Sequence, residues 1–354
     1  KVFLMIILSI CIPTYNRATH LRNSLSAIIQ CGLANLPEVQ VCVSDNCSTD
    51  ATRQVVIDAE QTIKIKYNLN ESNLGFARNM LEVVQMADGQ FVWVLGDDDL
   101  LIPSACEKII DLISKHSLVD FFVVNANNLT TEYVQSFPQP FELSNLPKKM
   151  ETFSPRTESG EIPFLKLINP NVCFDYLGGI YLSVFRRSLW LANTGCLDAT
   201  ALCDDRLLSH PDNSFPHVKI YANAFSQSLA YFSAEPASVC LTGAQEWAPM
   251  GPLILSIRLP EALEEYKNNG LKWYSYFHCR NAVLSNFFLD MVRLRLNKHN
   301  NGGEYVNFTK VLLQNCIYPN FYLSFFYPFF RKSFWIKVSG MFLSIFFRLE
   351  NKVK

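Results

Sequence analysis

The chain has 354 residues, enough for a full hydrophobic core and for a second, smaller domain beside the first. Its 31 Lys and Arg against 32 Asp and Glu give no overall basic field, which excludes a nucleic-acid partner held by bulk charge. Eleven cysteines, an odd number with no Cys-x-x-Cys pair, exclude a zinc ribbon and a secreted disulfide framework and point to reduced thiols in the cytosol. The apolar run 2–12 leads straight into Pro13-Thr14-Tyr15-Asn16-Arg17 with no small-residue cleavage site, so it reads as a buried first strand and not a signal peptide. Leu21, Leu25, Ile28 and Ile29 then recur at helical spacing. Residues 39–44 read as a second strand, and Ser48, Thr49 and Asp50 offer capping oxygens for a helix reaching about residue 60. A strand over 63–67, a helix over 76–86, a strand over 91–95, a helix over 104–114 and a strand over 121–125 follow. This alternation predicts an α/β fold with a mainly parallel sheet covered by helices. Periodicity fades over 125–163, a connection long enough to shape a binding site. Order returns from Tyr176 to Trp190 and in Ala201-Leu202-Cys203-Asp204-Asp205-Arg206, where the acidic pair is expected to open a helix. Beyond about residue 261 the chain reads as helical, ending in an aromatic-rich stretch over 318–347. No run reaches the roughly 18 uncharged apolar residues of a conventional transmembrane helix.

The strand Phe91-Val92-Trp93-Val94-Leu95 runs into Gly96-Asp97-Asp98-Asp99. Carboxylates there lie at the C-terminal edge of a sheet, where open α/β proteins bind their ligands. Three neighbouring acids repel unless a cation or an open loop relieves them. Mg²⁺ or Mn²⁺, held by one or two carboxylates and the oxygens of a diphosphate, meets that need; a solvated acidic turn is the alternative. Three motifs precede the cluster in order: Leu8-Ser9-Ile10-Cys11-Ile12-Pro13-Thr14-Tyr15-Asn16-Arg17, then Val41-Cys42-Val43-Ser44-Asp45-Asn46-Cys47-Ser48-Thr49-Asp50, then Asn70-Glu71-Ser72-Asn73-Leu74-Gly75-Phe76-Ala77-Arg78-Asn79. Together the four resemble the nucleotide-sugar half of family 2 glycosyltransferases, closely over about the first third of the chain and more loosely beyond it.

That resemblance implies a GT-A fold over 1–245, with a nucleotide-sugar half to about 125 and an acceptor half after it, followed by a helical extension over 246–354. It implies that Pro13, Thr14, Tyr15 and Arg17 hold base and ribose, that Asp45 bonds the base, and that Arg78 meets the diphosphate or the base. Asp98 is the leading metal ligand and Asp97 a metal or ribose contact, while Asp99 caps the turn. Gly96 stands where the commonest family pattern, Asp-x-Asp, carries its first acid. Asp205 is placed as general base, with Asp204 as fallback; two acids at a helix start also serve simply to complement its dipole. Arg186 and Arg187 are candidates for phosphate or acceptor contact or for a solvated turn, and His210 and His217 are left outside the site. Family 2 members are expected to invert configuration; an α-linked product from an α-linked donor would require retention and remove Asp205 from the base role.

The processive members' Gln-x-x-Arg-Trp motif is absent, which favours transfer of one sugar per acceptor. The build resembles bacterial O-antigen enzymes, including abequosyltransferases. Expected partners are a CDP-, UDP- or other nucleotide-sugar donor, an undecaprenyl-diphosphate-linked oligosaccharide and a membrane surface. The last rests on Phe321, Tyr322, Phe325, Phe326, Phe334 and Trp335 mixed with Arg331, Lys332 and Lys337, a composition suited to an anionic interface. A helix packed on the catalytic domain is its alternative. The expected location is the bacterial cytoplasm, peripheral on the inner face of the cytoplasmic membrane. Two rival functions remain: a nucleotide-sugar-binding protein without catalysis, and a metal-dependent nucleotidyltransferase, whose glycine-rich phosphate loop Pro13 to Arg17 does not spell.

Overall fold

A computed structural model describes residues 5–170, 179–243, 247–296 and 298–326. The chain divides into two compact units, Lys1–Glu246 with Glu264–Lys272, and Trp247–Leu263 with Trp273–Lys354. The first unit opens with β1 (Leu8–Thr14), α1 (Ala18–Gln30), β2 (Val39–Asp45), α2 (Thr52–Glu60), β3 (Ile65–Leu69), α3 (Phe76–Met86) and β4 (Phe91–Val94). These four strands lie in the order β3-β2-β1-β4, all parallel. β1 and β4 are buried along nearly their whole length, which is why they read as unbroken apolar runs instead of alternating ones. β1 continues past the expected Ile12 to Thr14. Its pairing with β4 ends at Cys11↔Val94, so beyond that point β1 has one open edge and tolerates Pro13.

The sheet continues through β5 (Leu100–Leu101), after which come α4 (Ala105–Lys115), β6 (Val119–Thr130), α5 (Thr131–Gln135), β7 (Glu151–Thr152), β8 (Gly160–Pro163), β9 (Ser183–Arg186), α6 (Arg187–Asn193), α7 (Ala199–Leu202), α8 (Pro211–Ser214), α9 (Pro216–Phe225) and β10 (Leu229–Thr242). The full order is β3-β2-β1-β4-β9-β6-β10-β5, with β7 on β6 and β8 on β10. β9 is antiparallel to both β4 and β6, while β6 and β10 run parallel. The result is a mixed, mostly parallel sheet of ten strands flanked by helices. β6 runs five residues past the predicted end, through the polar stretch Asn125 to Asn128. It does so because β10 shifts register between Ser233 and Ser238, and Asn125 fills the irregularity, its amide donating to the carbonyls of Ser154 and Ala234 at 3.1 Å each. Behind this half, Phe121, Phe164, Phe185, Trp190, Tyr221 and Phe225 form a buried aromatic cluster, mostly edge to face. Every described cysteine is a free thiol.

The second unit is helical, with helices over Trp273–Val283, Phe287–Leu296, Phe308–Asn315 and Pro319–Phe326. Asn320 is bonded twice to Asn281, through its backbone N–H and its side-chain amide, each at 2.8 Å, and the Phe288 N–H donates to Ser324 Oγ at 3.2 Å. Tyr318 is buried. Residues 318–326, expected to begin an interfacial tail, are therefore part of the packed unit, although Tyr322, Phe325 and Phe326 remain exposed. The rest of that stretch, 327–354, including Arg331, Lys332, Phe334, Trp335 and Lys337, lies outside the described residues. Among the described residues no helix is long and apolar enough to cross a membrane.

Candidate functional site

The ends of β1 and β2 stand side by side, Thr14 opposite Asp45, and the acidic turn follows β4 on the other side of β1. Asn16 adopts a left-handed backbone (φ 52°), a conformation Asn tolerates better than most residues. Its N–H donates to Ser48 Oγ at 2.8 Å, and its side-chain oxygen accepts from the Thr49 N–H at 2.7 Å. Asp50 accepts from the Ala18 N–H at 2.9 Å and the Thr52 N–H at 3.0 Å, so the expected capping segment serves the starts of both α1 and α2.

A second, neutral network holds the loop before α3. Asn79 donates to the carbonyls of Ser44 (3.0 Å) and Thr14 (3.3 Å) and accepts from Ser44 Oγ (2.7 Å) and the Asn70 amide (2.9 Å). Asn46 donates to Asn73 at 2.7 Å and accepts from the Leu74 N–H at 2.8 Å. The chain then enters α3 through Gly75 at φ 80°, a left-handed conformation open mainly to glycine. Ser44, Asn70 and Asn79 were not singled out from the sequence, although the Asn70 to Asn79 motif contains two of them.

The acidic turn is bound to the β1 loop. Thr14 Oγ1 donates to Asp97 Oδ2 at 2.8 Å, Arg17 Nε lies 3.2 Å from Asp97 Oδ1, and Arg17 Nη2 donates to Asp98 Oδ2 at 2.7 Å. Asp97 is buried, and that desolvation pushes its pKa up to about 7; Arg17 pulls it back down and Asp98 adds to the rise. Asp99 is also buried and is held well above the usual carboxylate range by desolvation and then by Asp98. Its Oδ2 accepts the Gly96 N–H at 2.9 Å, which makes it the turn-stabilising acid. A Cβ on residue 96 would stand 2.7 Å from Asp98 Oδ1 and 2.9 Å from Asp99 Oδ2. Glycine there follows from the way the turn folds its own carboxylates inward.

Asp45 is fully buried, its oxygens accepting from the Ser48 N–H at 2.8 Å and Tyr67 Oη at 2.7 Å. Burial and that bond push the Tyr67 hydroxyl above its ordinary range. Tyr15 is exposed at the same edge, and the guanidinium of Arg78, half-buried on the first turn of α3, makes no hydrogen bond or ion pair among the described residues.

Asp204 and Asp205 do not open a helix. Asp198 caps α7, accepting from the Thr200 and Ala201 N–H groups, and His210 with Pro211 starts α8, which leaves the acidic pair in the loop between. Asp204 is committed to Arg206 (2.6 Å) and Ser209 Oγ (2.8 Å), and the Arg206 contact holds its carboxyl well below the usual range. Asp205 is exposed with no hydrogen bond or ion pair among the described residues, and α8 packs against α3. Arg186 pairs with Asp120 and covers the Phe91 ring, while Arg187 donates to the Val84 and Gln85 carbonyls at the end of α3. Both arginines are thus engaged by protein groups. Among the described residues no three His, Cys, Asp or Glu side chains form a ready metal cage.

The mixed sheet with its acid-bearing C-terminal edge is the GT-A fold: the structure of Staphylococcus aureus TarS 1–349 in complex with UDP-GlcNAc superposes with a TM-score of 0.54 over 83% of this chain and 74% of that one, at 16% identity. Residues 9–172 match the model of glycosyl transferase family 2, so the chain carries a domain of that family. Abequosyltransferase RfbV of Salmonella typhimurium strain LT2 is 26% identical over 239 residues, 66% of each chain. The UDP-Glc:alpha-D-GlcNAc-diphosphoundecaprenol beta-1,3-glucosyltransferase WfgD of Escherichia coli is 28% identical over 146 residues, 40% of this chain and 55% of that protein. The matches thus span about half to two thirds of these relatives' own lengths.

Proposed function

We propose that the protein transfers a single sugar from a nucleotide-sugar donor to an undecaprenyl-diphosphate-linked oligosaccharide in the synthesis of a bacterial cell-surface polysaccharide. The observation that carries this reading is the meeting of Thr14, Arg17, Asp97 and Asp98 at one sheet edge within a glycosyl transferase family 2 domain. The lipid-diphosphate acceptor is supported by the acceptor in the E. coli relative's name, and a dideoxyhexose such as abequose by the Salmonella relative.

In this reading Pro13, Thr14 and Tyr15 flank the nucleoside, and Asp45 offers its remaining lone pairs to the base. Arg78, whose guanidinium has no protein partner among the described residues, faces the diphosphate. The donor set fits a hard divalent cation: Asp98 is partly exposed (15%) with Oδ1 outside the Arg17 pair, and Asp97 stands beside it. Mg²⁺ or Mn²⁺ bound there would supply charge neutralisation for the leaving diphosphate. Asp205 takes the proton of the acceptor hydroxyl as its oxygen bonds to the anomeric carbon and the bond to the diphosphate oxygen breaks. Asp204, engaged by Arg206, is poorly placed to share that task. Association with the inner face of the cytoplasmic membrane through the C-terminal aromatic and basic stretch belongs to the same proposal.

The test is incubation of the full chain with a panel of nucleotide sugars and lipid-linked oligosaccharides, with NMR of the product linkage. Transfer is expected with Mn²⁺ or Mg²⁺, and both EDTA and Asp98→Asn should remove most of it, since an amide is a poor substitute for a charged hard ligand. Unchanged transfer under either condition overturns the metal assignment. Nucleotide binding with no turnover of any donor identifies a binding protein, and a product retaining the nucleotidyl group identifies a nucleotidyltransferase.

A further inference from the structure

Arg17 lies on one oxygen of each of the two acids that a cation entering the acidic turn would meet. Its guanidinium spans two consecutive acids, Nε at 3.2 Å from Asp97 and Nη2 at 2.7 Å from Asp98, whose side chains are only 7% and 15% exposed. The arginine is itself 26% exposed and sits at the entry to α1, held by its backbone carbonyl, which accepts the Leu21 N–H at 3.0 Å. Its long side chain is therefore anchored at the base, while its head group lies on the two acids. A divalent ion at Asp98 would meet this guanidinium at contact distance, where like charges repel strongly because the surroundings are partly desolvated.

We infer that Arg17 is a resident counter-cation of the acidic turn, that a divalent ion binds Asp98 only as the guanidinium withdraws from it, and that the withdrawn guanidinium is then presented to an anionic diphosphate. This rests on the metal-assisted transfer proposed above and adds a competition internal to the site. It gives the protein two charge-compensated states, one closed by arginine and one by metal, and keeps the paired acids from standing uncompensated in the absence of donor.

The test is Mn²⁺ binding to the nucleotide-free full chain, read by the loss of the free-ion EPR signal, in the wild type, Arg17→Gln, Arg17→Lys and the double variant Arg17→Gln with Asp98→Asn. Removing the competing charge should tighten the apparent Mn²⁺ dissociation constant by about tenfold or more, whereas Arg17→Lys should stay near the wild type. The double variant should lose the gain. Equal affinity in the wild type and Arg17→Gln overturns the inference, as does a gain that survives in the double variant. Should Arg17→Gln unfold, Mg²⁺ titration of the wild type followed at the Arg17 ¹⁵Nε resonance decides the matter: a shift is expected, and an unmoved resonance at saturating Mg²⁺ overturns it. Sugar transfer is not needed for either readout. A wild type that transfers sugar with no Arg17 effect on Mn²⁺ therefore sinks only this inference, and a clear Arg17 effect without transfer sinks only the proposed function.

Discussion

A methyl group is the smallest possible addition at residue 96, and it would already stand 2.7 Å from one carboxylate oxygen and 2.9 Å from another. Gly96→Ala should cost about 1–3 kcal/mol, the usual penalty of overpacking, and should also weaken Mn²⁺ binding, because Asp98 is one of the two groups that must move. Urea unfolding and the EPR assay read the two effects separately; a variant that is wild type in both would show that the turn has a second arrangement. Asp205 calls for the opposite kind of experiment, since its exposure and its lack of partners among the described residues make its removal structurally mild. Asp205→Asn should lower turnover roughly 10²- to 10⁴-fold with donor affinity nearly intact, the expected loss for a general base. If donor binding collapses while bound donor still turns over, the carboxylate is a ligand or a structural group.

At the level of elements, the start of α3 depends on Asn79, which ties it to the ends of β1 and β2. Asn79→Ala leaves the Ser44 hydroxyl without its acceptor and takes one bond each from the Asn70 amide, which keeps Asn46, from the Thr14 carbonyl, which keeps the Asn46 N–H, and from the Ser44 carbonyl; it should destabilise the first unit by about 1–3 kcal/mol, the cost of one unsatisfied buried group. A fall in melting temperature together with weaker nucleotide binding is expected; a melting temperature equal to the wild type would mean that water replaces the amide without loss. Legibility in the sequence followed the range of the forces involved. The bounds of α3 could be read directly, because Gly75 and the apolar period are local signals. The last residues of β6 are not legible, because Asn125 to Asn128 look like a loop until their partner strand is known. The acidic pair at 204 and 205 mimics a helix start, whereas Asp198 and His210-Pro211 carry the actual boundary chemistry. Chemistry at the β4 edge was legible in the acids themselves. Their pairing with Arg17, some 80 residues earlier, was not, because no local pattern encodes which cation the fold brings to them.

On the scale of the whole molecule, the two units present different liabilities. Truncation after Phe326 should reduce association with anionic liposomes and transfer to lipid-linked acceptors; truncation before Tyr318 should also unfold the helical unit, because it removes the Asn320–Asn281 and Ser324–Phe288 bonds. Circular dichroism and liposome co-sedimentation of both truncations check this, and undiminished liposome binding after loss of 327–354 would move the membrane contact elsewhere. The neutral amide lattice of Asn46, Asn70 and Asn79 has a consequence of another kind. Dissolved ions screen net charges over about 8 Å at physiological ionic strength but hardly affect short bonds between buried dipoles. In the proposed reading, the donor edge thus combines a cradle indifferent to salt with a latch, Arg17 on two largely buried acids, that salt screens only weakly, so the shape offered to a nucleotide is set by contact chemistry and not by the ionic medium.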